Sequence, residues 1–429
     1  GLNRIAIAVT SSGIAALLMS GGKTAHFRFK IPLKLIKTTT LNIKKQSDLA
    51  DLIRKAKVIL WDEAPMMDRF AFEAVDRSFR DLMDVNEPFG GKVMVLGGDF
   101  RQILSVVVRG TRAQIVNACL KSSDLWKFFT SMKLTKNMRV QQQENVEQKN
   151  FVDFLLQVGE GKVLVYSDIG DDFIQLPDDI VLSSKDDKNL EKLISEIFND
   201  INTNYQNSDY IEDRAILTTK NIDVEKINDQ ILKSIPDKQV FEYKSADSIE
   251  EKEEVDSSLY TLEFLNSLTP SGMPPHELNL KIDVPVILLR NINPAEGLYN
   301  GTRLIIKNCY DYIFEAEILT GVNQGKKIFL PRIRLTPSDL DLLFQLVRRQ
   351  FPIKLSFAMT INKVQGQTIP IMGLYLPKSV FTHGQLYVAL SRVQSKNNIK
   401  VLVEDRHKKE KEGIYTKNIV YREIFAESE

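Results

Sequence analysis

Three short apolar runs, each followed at once by small or polar residues, constrain the fold of this chain more than any other feature. They are IAIAV at Ile5–Val9, VILW at Val58–Trp61 and VMVL at Val93–Leu96. Uninterrupted β-branched runs are typical of strands buried on both faces, as in parallel sheets covered by helices. The pattern predicts an α/β fold whose functional residues follow the carboxyl ends of its strands.

A second series of elements follows farther along the chain. Strands are expected at Ala215–Leu217 and Leu355–Ala358, and helices at Phe151–Val158, Val224–Leu232 and Gly384–Arg392. These elements predict a second α/β domain.

The chain between positions 284 and 335 has a different pattern. It carries four short apolar segments, PVILLRNI, RLIIKN, YIFEAEIL and KKIFLPRIRL, which are separated by turn residues. Short strands divided by tight turns favour a small β-barrel, inserted here into the second α/β domain.

Composition limits the function classes. A chain of 429 residues exceeds one ordinary core, and its 43% hydrophobic and 26% charged residues are typical of a soluble globular protein. Because the net charge is only +1, any nucleic-acid binding depends on local basic surface. The two cysteines and four histidines have no metal-ligand spacing, and no apolar run reaches the roughly 20 residues of a membrane span. We therefore expect an intracellular protein without a zinc site, a disulfide framework, a signal peptide or a membrane span.

Polar residues of three types follow two of the predicted strands. Asp62 and Glu63 come after Val58–Trp61, and Gln102 comes after Val93–Leu96. In nucleotide hydrolysis one carboxylate at a strand end holds Mg²⁺ and a second polarises the attacking water. A glutamine on the neighbouring strand can contact the γ-phosphate or that water. Taken alone, each pattern also occurs as an exposed turn or a helix cap.

Two arginines farther along the chain complete such a site. Arg139 lies in LTKNMR and Arg392 in YVALSR. An arginine that meets the γ-phosphate neutralises charge in the transition state and raises the rate by about 10³ to 10⁵. For either arginine alone, a surface salt bridge is the alternative interpretation.

Seven motifs in order along the chain carry a more specific signal. They are VTSSGIAA, GGKTAHFRFKIP, ILWDEAPM, GGDFRQIL, LTKNMR, MTINKVQGQT and GQLYVALSRV. Together they resemble the motifs of superfamily 1 helicases, and more narrowly those of the Pif1 family of 5′-to-3′ DNA helicases. The form is that of eukaryotic Pif1-like proteins and of the helicase regions of Helitron-type transposons.

The resemblance implies a role for each motif residue. Asp62 would bind Mg²⁺ indirectly, Glu63 would activate water, and Gln102 would sense the γ-phosphate. Arg139 and Arg392 would reach that phosphate from the second domain. The residues implied to contact the nucleotide are Gln102, Arg139, Gln365, Gly366 and Arg392. Those implied to contact DNA are Thr10, Ser11, Ser12, Thr24, His26, Lys363 and Thr368.

The resemblance also implies the domain organisation. Two RecA-like parallel-sheet domains would carry a small inserted SH3-like β-barrel as an accessory domain. The first RecA-like domain would be 1–132, with a short accessory insertion at about 27–57. The second would combine 133–290 with 354–429, and the barrel would be 291–353.

The implied function is that of an ATP- and Mg²⁺-dependent helicase that moves along single-stranded DNA. Its partners would be single-stranded DNA and duplex junctions, and it would act as a monomer. The family's roles are telomere maintenance, DNA repair and recombination, in the nucleus and sometimes in the mitochondrion.

One family motif is missing from the 429 residues. No GxxxxGK[ST] phosphate loop occurs, because Leu17 stands where Gly22-Lys23-Thr24 would need a preceding glycine. Such a loop cradles the β- and γ-phosphates, so we expect weak ATP binding and an incompletely covered first sheet. The expectation is a truncated helicase. The alternatives are an inactive nucleic-acid-binding remnant of a transposon-borne helicase and an ATPase whose partner is not DNA.

Overall fold

The computed structural model describes most of the chain in two compact units. The described residues are 5–17, 19, 21–135, 146–182, 189–236, 239–250, 260–321, 323–337, 344–404 and 413–426. The first unit comprises residues 1–193 and 361–429, and the second comprises 194–360. No helix in the described ranges is both long and apolar enough to cross a membrane.

Both units contain helices and strands. The helices are α1 (Gly13–Leu17), α2 (Ala25–Phe29), α3 (Asp48–Lys55), α4 (Arg69–Met83), α5 (Arg112–Ala118), α6 (Val146–Glu160), α7 (Asn189–Ile197), α8 (Ile201–Asn204), α9 (Ser208–Glu212), α10 (Asn221–Ser234), α11 (Leu262–Ser267) and α12 (Gln385–Leu390). The strands are β1 (Ile5–Thr10), β2 (Lys23–Thr24), β3 (Ala56–Asp62), β4 (Val93–Leu96), β5 (Phe173–Gln175), β6 (Arg214–Thr218), β7 (Phe241–Lys244), β8 (Ala246–Ile249), β9 (Glu277–Leu280), β10 (Pro285–Leu288), β11 (Arg303–Cys309), β12 (Ile313–Ile318), β13 (Lys327–Pro331), β14 (Ile333–Leu335), β15 (Leu346–Gln350), β16 (Ile353–Leu355), β17 (Ala358–Thr360), β18 (Ile371–Leu376), β19 (Ile399–Val403) and β20 (Tyr415–Lys417).

The first unit contains a parallel sheet with the strand order β2-β1-β3-β4 in the described residues. β1 pairs in parallel with both β2 and β3, and β3 pairs in parallel with β4. The three apolar runs of the sequence form β1, β3 and β4, so the predicted parallel strands are confirmed.

One face of this sheet packs into an apolar core. Ile59 and Trp61 of β3 are buried, and the Trp61 ring lies 4.4 Å from the Phe72 ring of α4 between centroids. The indole Nε1 of Trp61 donates to Ser11 Oγ at 3.1 Å, which satisfies a polar group that burial would otherwise leave unpaired. This packing fixes the end of β3, where the acidic pair follows.

The opposite face of the sheet is partly open. Val93 and Val95 of β4 are 59% and 49% exposed. In register beside them on β3 are Val58 and Leu60, which are half-buried. Exposed and half-buried apolar residues therefore lie side by side on this face, and the incomplete cover expected from the sequence stays a prediction.

The later part of the first unit presents a short buried helix. β18 and β19 pair in parallel, and all six residues of α12 are buried. The helix begins after Gly384, whose φ of 70° lies in the left-handed region that favours glycine. The predicted helix at Gly384–Arg392 is confirmed, with the shorter bounds Gln385–Leu390.

The second unit combines parallel and antiparallel strands. β6 pairs in parallel with β17, which confirms the strand predicted at Ala215–Leu217. The short strands expected between 284 and 335 are present, and β10 to β13 lie in an antiparallel sheet with the order β13-β12-β11-β10-β16. This sheet includes β10, which lies outside 291–353, and β16, which begins at residue 353. The barrel and the domain boundaries predicted from the sequence stay predictions.

The single strand predicted at Leu355–Ala358 is wrong. Leu355 ends β16, which is antiparallel to β10, whereas Ala358 begins β17, which is parallel to β6. Between them the Ser356 amide donates to the Pro285 carbonyl at 3.0 Å. The chain therefore changes sheets within the four residues Leu355–Ala358, and the hydrophobicity of this segment does not mark the change.

A buried ion pair joins two strands of the second unit. The side chains of Arg348 on β15 and Asp247 on β8 are fully buried, and Nη2 lies 2.6 Å from Oδ2. Arg348 also donates to the carbonyls of Pro274 and Leu265. Such a pair is strongly destabilising when one partner is removed, because the other charge stays buried without compensation.

We predict that Asp247→Asn lowers the free energy of unfolding of the second unit by about 3–5 kcal/mol. Hydrogen exchange of the β15 amides measures this loss. The matched control is Glu296→Gln, which removes a 2.8 Å pair with Lys326 whose side chains are 46% and 44% exposed. Glu296→Gln should lower the free energy of unfolding by at most about 1 kcal/mol. Equal losses in the two variants would contradict the prediction.

Candidate functional site

The ends of three adjacent strands lie in one row at the carboxyl edge of the first sheet. Thr10 is paired with Thr24 on one side and with Asp62 on the other. β4 ends in the same register beside β3, so the glycines that follow it lie at the same edge. Parallel pairing thus places the segment predicted to bind DNA next to the predicted hydrolytic carboxylates.

The turn after β3 is held by backbone contacts on both sides. Asp62 Oδ1 accepts the Glu63 amide at 2.9 Å, and the Asp62 carbonyl accepts the Ser11 amide at 3.1 Å. A Cβ on Gly97 would lie 2.9 Å from Asp62 Oδ1, so the glycine allows the neighbouring strand end to approach this carboxylate. Glu63 has φ 52° and ψ 38°, a left-handed conformation that costs a residue with a Cβ about 1–2 kcal/mol.

The Glu63 carboxyl has a raised pKa. Burial is the largest cause, repulsion by Asp62 adds to it, and Asp99 adds a smaller amount in the same direction. Arg392 acts in the opposite direction because its positive charge favours the ionised carboxylate. A carboxylate with a raised pKa is a stronger proton acceptor than an ordinary glutamate, which suits a general base.

The loop that contains Gly366, which is predicted to contact the nucleotide, lies beside this carboxylate. Gly366 has φ 83°, and a Cβ there would lie 3.6 Å from Glu63 Oε1. Arg392 is buried and donates to the Gln367 carbonyl at 2.9 Å and to the Val364 carbonyl at 3.4 Å. The structure therefore brings Glu63, Gly366 and Arg392 into one cluster, with the guanidinium bracing the loop.

Gln102 and Gln365 meet at the turn that follows β4. The buried Gln365 side chain donates to the Ile103 carbonyl at 3.2 Å. Gln102 Oε1 is buried and accepts no hydrogen bond from the described residues. The unpaired Oε1 can accept a hydrogen bond from a water molecule. The amide N–H groups of the same side chain can donate to a phosphate oxygen.

The hydroxyl residues predicted to contact DNA take part in local turns. Thr10 is fully buried and accepts the Ser12 amide, while Ser12 Oγ accepts the Ala15 amide. Thr24 is the N-cap of α2, and burial lowers the pKa of His26 on that helix. These contacts order the segment, and a role for its residues in DNA binding stays a prediction.

The structure gives no functional contact for three other predicted residues, of which one lies outside the described residues. Thr368 is exposed and Lys363 is half-buried. Arg139 lies outside the described residues. The roles assigned to these residues stay predictions.

Sequence reasoning missed the residues that hold the turn after β4. Tyr387 OH donates to Asp99 Oδ2 at 2.9 Å, and Arg101 Nε donates to Asp99 Oδ1 at 2.8 Å. His383 is fully buried and bonds the Phe100 carbonyl at 2.9 Å through Nε2. The only available signal was their place inside the motifs GGDFRQIL and GQLYVALSRV, or just before the latter.

The donor set fits a magnesium nucleotide. Mg²⁺ in such sites uses one or two carboxylates and completes its shell with water and substrate phosphates. The described residues include no group of three His, Cys, Asp or Glu side chains that could hold a metal by themselves. A magnesium ion that also binds substrate phosphates needs only one or two protein carboxylates, and Asp62 with Glu63 beside it meets that need.

Two family models match the chain. Residues 2–168 match the PIF1-like helicase model, and residues 263–308 match the model of the DNA helicase Pif1 2B domain. An ATP-dependent DNA helicase Pif1 of Campylobacter jejuni is 27% identical, over 97% of this chain and 86% of the relative. ATP-dependent DNA helicase PIF1 of Danio rerio and RRM3 of Saccharomyces cerevisiae are each 25% identical over 92% of this chain. The chain spans only 54% and 58% of those two relatives.

Solved structures show the same fold. Bacteroides Pif1 bound to ssDNA has a TM-score of 0.65 at 22% identity and covers 93% of this chain and 83% of its own. Pif1 helicase from Candida albicans has a TM-score of 0.60 at 21% identity, over 98% of this chain and 87% of its own. The predicted α/β architecture with two RecA-like domains is therefore confirmed, as is the resemblance to Pif1-like helicases.

We predict that Gly384→Ala destabilises the first unit more than a left-handed backbone alone explains. A Cβ at Gly384 would clash with the Arg101 carbonyl oxygen. We expect the free energy of unfolding to fall by about 1–2 kcal/mol from backbone strain and by about 1–3 kcal/mol more from the clash. Chemical denaturation measures this fall.

The control for that variant is Gly21→Ala. Gly21 has a similar φ of 66°, and a Cβ there would meet nothing within 4 Å. Only the strain of about 1–2 kcal/mol should appear. If both alanine variants lose the same stability, the contact of Gly384 with the turn after β4 is not tight.

Proposed function

Because the chain is a Pif1-like helicase by family, we propose that it is an ATP-dependent DNA helicase that moves 5′-to-3′ along single-stranded DNA and unwinds duplexes at junctions. The cluster of Asp62, Glu63, Gly366 and Arg392 at a strand edge is the observation that supports hydrolysis most directly. The proposal includes action as a monomer in telomere maintenance, DNA repair and recombination, in the nucleus and the mitochondrion.

Three residues of the site have distinct tasks in this proposal. Asp62 would hold, indirectly, the Mg²⁺ that comes with the nucleotide, and Glu63 would take a proton from the attacking water. Gln102 orients that water through its free acceptor Oε1. Bound Mg²⁺·ATP supplies the reacting phosphate and a metal ion that neutralises phosphate charge.

Two further features support a coupling of nucleotide state to DNA. The loop at Gly366 lies against Glu63, and Arg392 holds the same loop by its backbone carbonyls. The row formed by Thr10, Thr24 and Asp62 places the proposed DNA segment on strands adjacent to the carboxylate. In this arrangement a change at the nucleotide alters a backbone segment that the DNA contacts.

The second candidate is a DNA-binding protein without ATPase activity. The absence of GxxxxGK[ST] from these 429 residues favours it, because no glycine-rich loop is present to cradle the phosphates. Weak ATP binding by this chain remains part of the proposal. Measured hydrolysis separates the two candidates.

We predict that the chain hydrolyses ATP in the presence of single-stranded DNA and that Glu63→Gln lowers kcat by about 10²–10⁴-fold, because the general base is lost. The variant should still bind single-stranded DNA. The control is Glu87→Gln, which changes an exposed glutamate of the same unit and should leave kcat unchanged.

The outcomes of this experiment separate the two candidate functions and test the role of Glu63. DNA binding without hydrolysis in the unchanged chain would favour the second candidate. Hydrolysis that survives Glu63→Gln would refute the assigned base. Partial duplexes with either a 5′ or a 3′ single-stranded tail then test the direction of unwinding.

We predict that kcat falls on acidification at a pH above the ordinary glutamate pKa of 4.5. Glu63 must be ionised to accept a proton, and its pKa is raised by burial and by Asp62. As the pH drops through that raised pKa, the base becomes protonated and hydrolysis is lost. The check is the pH profile of kcat, with DNA binding followed over the same range. A kcat that stays constant down to pH 4.5 would contradict the prediction.

A further inference from the structure

The turn after β4 is clamped by side chains and backbone from one later stretch of the chain. His383 bonds the Phe100 carbonyl at 2.9 Å, and its other ring nitrogen accepts the Tyr421 amide at 2.8 Å. Since Nδ1 is an acceptor, Nε2 carries the proton and donates to Phe100. The Gly384 backbone lies against the carbonyl of Arg101, where a Cβ could not fit.

The strongest of these contacts is made by Tyr387. Its hydroxyl donates to Asp99 Oδ2 at 2.9 Å, and hydrogen bonds to a carboxylate are among the stronger ones in proteins. Burial, and secondly the charge of Asp99, raise the pKa of Tyr387, so the hydroxyl keeps the proton that it donates. Asp99 uses its other oxygen for the amide and Nε of Arg101, so both carboxylate oxygens are occupied.

Asp99 in turn fixes the backbone of Gln102. The Gln102 amide donates to the Asp99 carbonyl at 3.1 Å, which closes the turn. Tyr387 belongs to α12, and Arg392 follows that helix with its Nε bonded to the Val388 carbonyl at 2.9 Å. One short helix therefore contacts the turn of Gln102 and carries Arg392.

We propose that Tyr387 is a positioning residue that holds Gln102 and Arg392 in a fixed relation through its hydrogen bond to Asp99. The inference rests on the proposed function and deepens it, since Gln102 and Arg392 act in the hydrolysis step. In this proposal Tyr387 has no direct part in the reaction. Its hydroxyl acts through Asp99, and its loss loosens the turn without removing a reacting group.

The first test is Tyr387→Phe, which removes the hydroxyl and keeps the ring that packs beside Arg101 and Gly159. We expect kcat for DNA-stimulated ATP hydrolysis to fall about tenfold while KM for ATP changes less than about twofold, because ground-state binding is kept. The matched control is Tyr166→Phe in the same unit, which removes a hydroxyl that donates to Gln175 Oε1 at 3.2 Å. A kcat in Tyr387→Phe equal to that of the control would overturn the proposal.

The second test needs no hydrolysis. Hydrogen exchange of the Gln102 amide should be about tenfold faster in Tyr387→Phe than in the unchanged chain or in Tyr166→Phe, because the Asp99 carbonyl is less well held. If the unchanged chain hydrolyses no ATP, the proposed function fails for this chain, and exchange alone decides the inference. Unchanged exchange at Gln102 would overturn the positioning role whether or not the chain is an ATPase.

Discussion

The parallel pairing of β1 with β2 and β3 is the constraint on which the candidate site depends. Its register places Thr10 between Thr24 and Asp62, so residues from three sequence motifs share one edge. The apolar core beneath β3, with Trp61 against Phe72, keeps this edge in place. A shift of one residue would turn Asp62 to the other face of the sheet and separate it from its neighbours.

Around this edge, electrostatics and backbone geometry act on the same carboxylate. Burial and Asp62 favour the protonated form of Glu63, and Arg392 favours the ionised form. The guanidinium also binds the backbone of the loop that contains Gly366. Arg392 thus contacts the loop backbone and also favours the ionised form of the Glu63 carboxyl.

Much of the local structure followed from the sequence because its physical cause is local. The strands β1, β3 and β4 are apolar runs that only a covered sheet can bury, and α12 begins at a glycine with positive φ. The boundary between β16 and β17 did not follow, because both strands are equally apolar and only tertiary pairing divides them.

Residues of the candidate site could be proposed from the sequence, but their contacts could not. Asp62, Glu63 and Gln102 could be chosen because they follow strands. The bond from Tyr387 to Asp99 joins residues 288 positions apart, and hydrophobic periodicity carries no information about such a pair. The burial of Thr10 and Gln365 was likewise beyond sequence patterns, since both residues are polar and their partners are backbone groups.

The left-handed backbone at Glu63 favours residues other than glutamate, whereas proton transfer at this position needs an acidic side chain. A glycine there relieves the strain at no steric cost, and asparagine tolerates it better than glutamate does, yet neither side chain can accept a proton from water. Stability and proton transfer therefore favour different residues at position 63, where Glu63 combines an acidic side chain with a left-handed backbone.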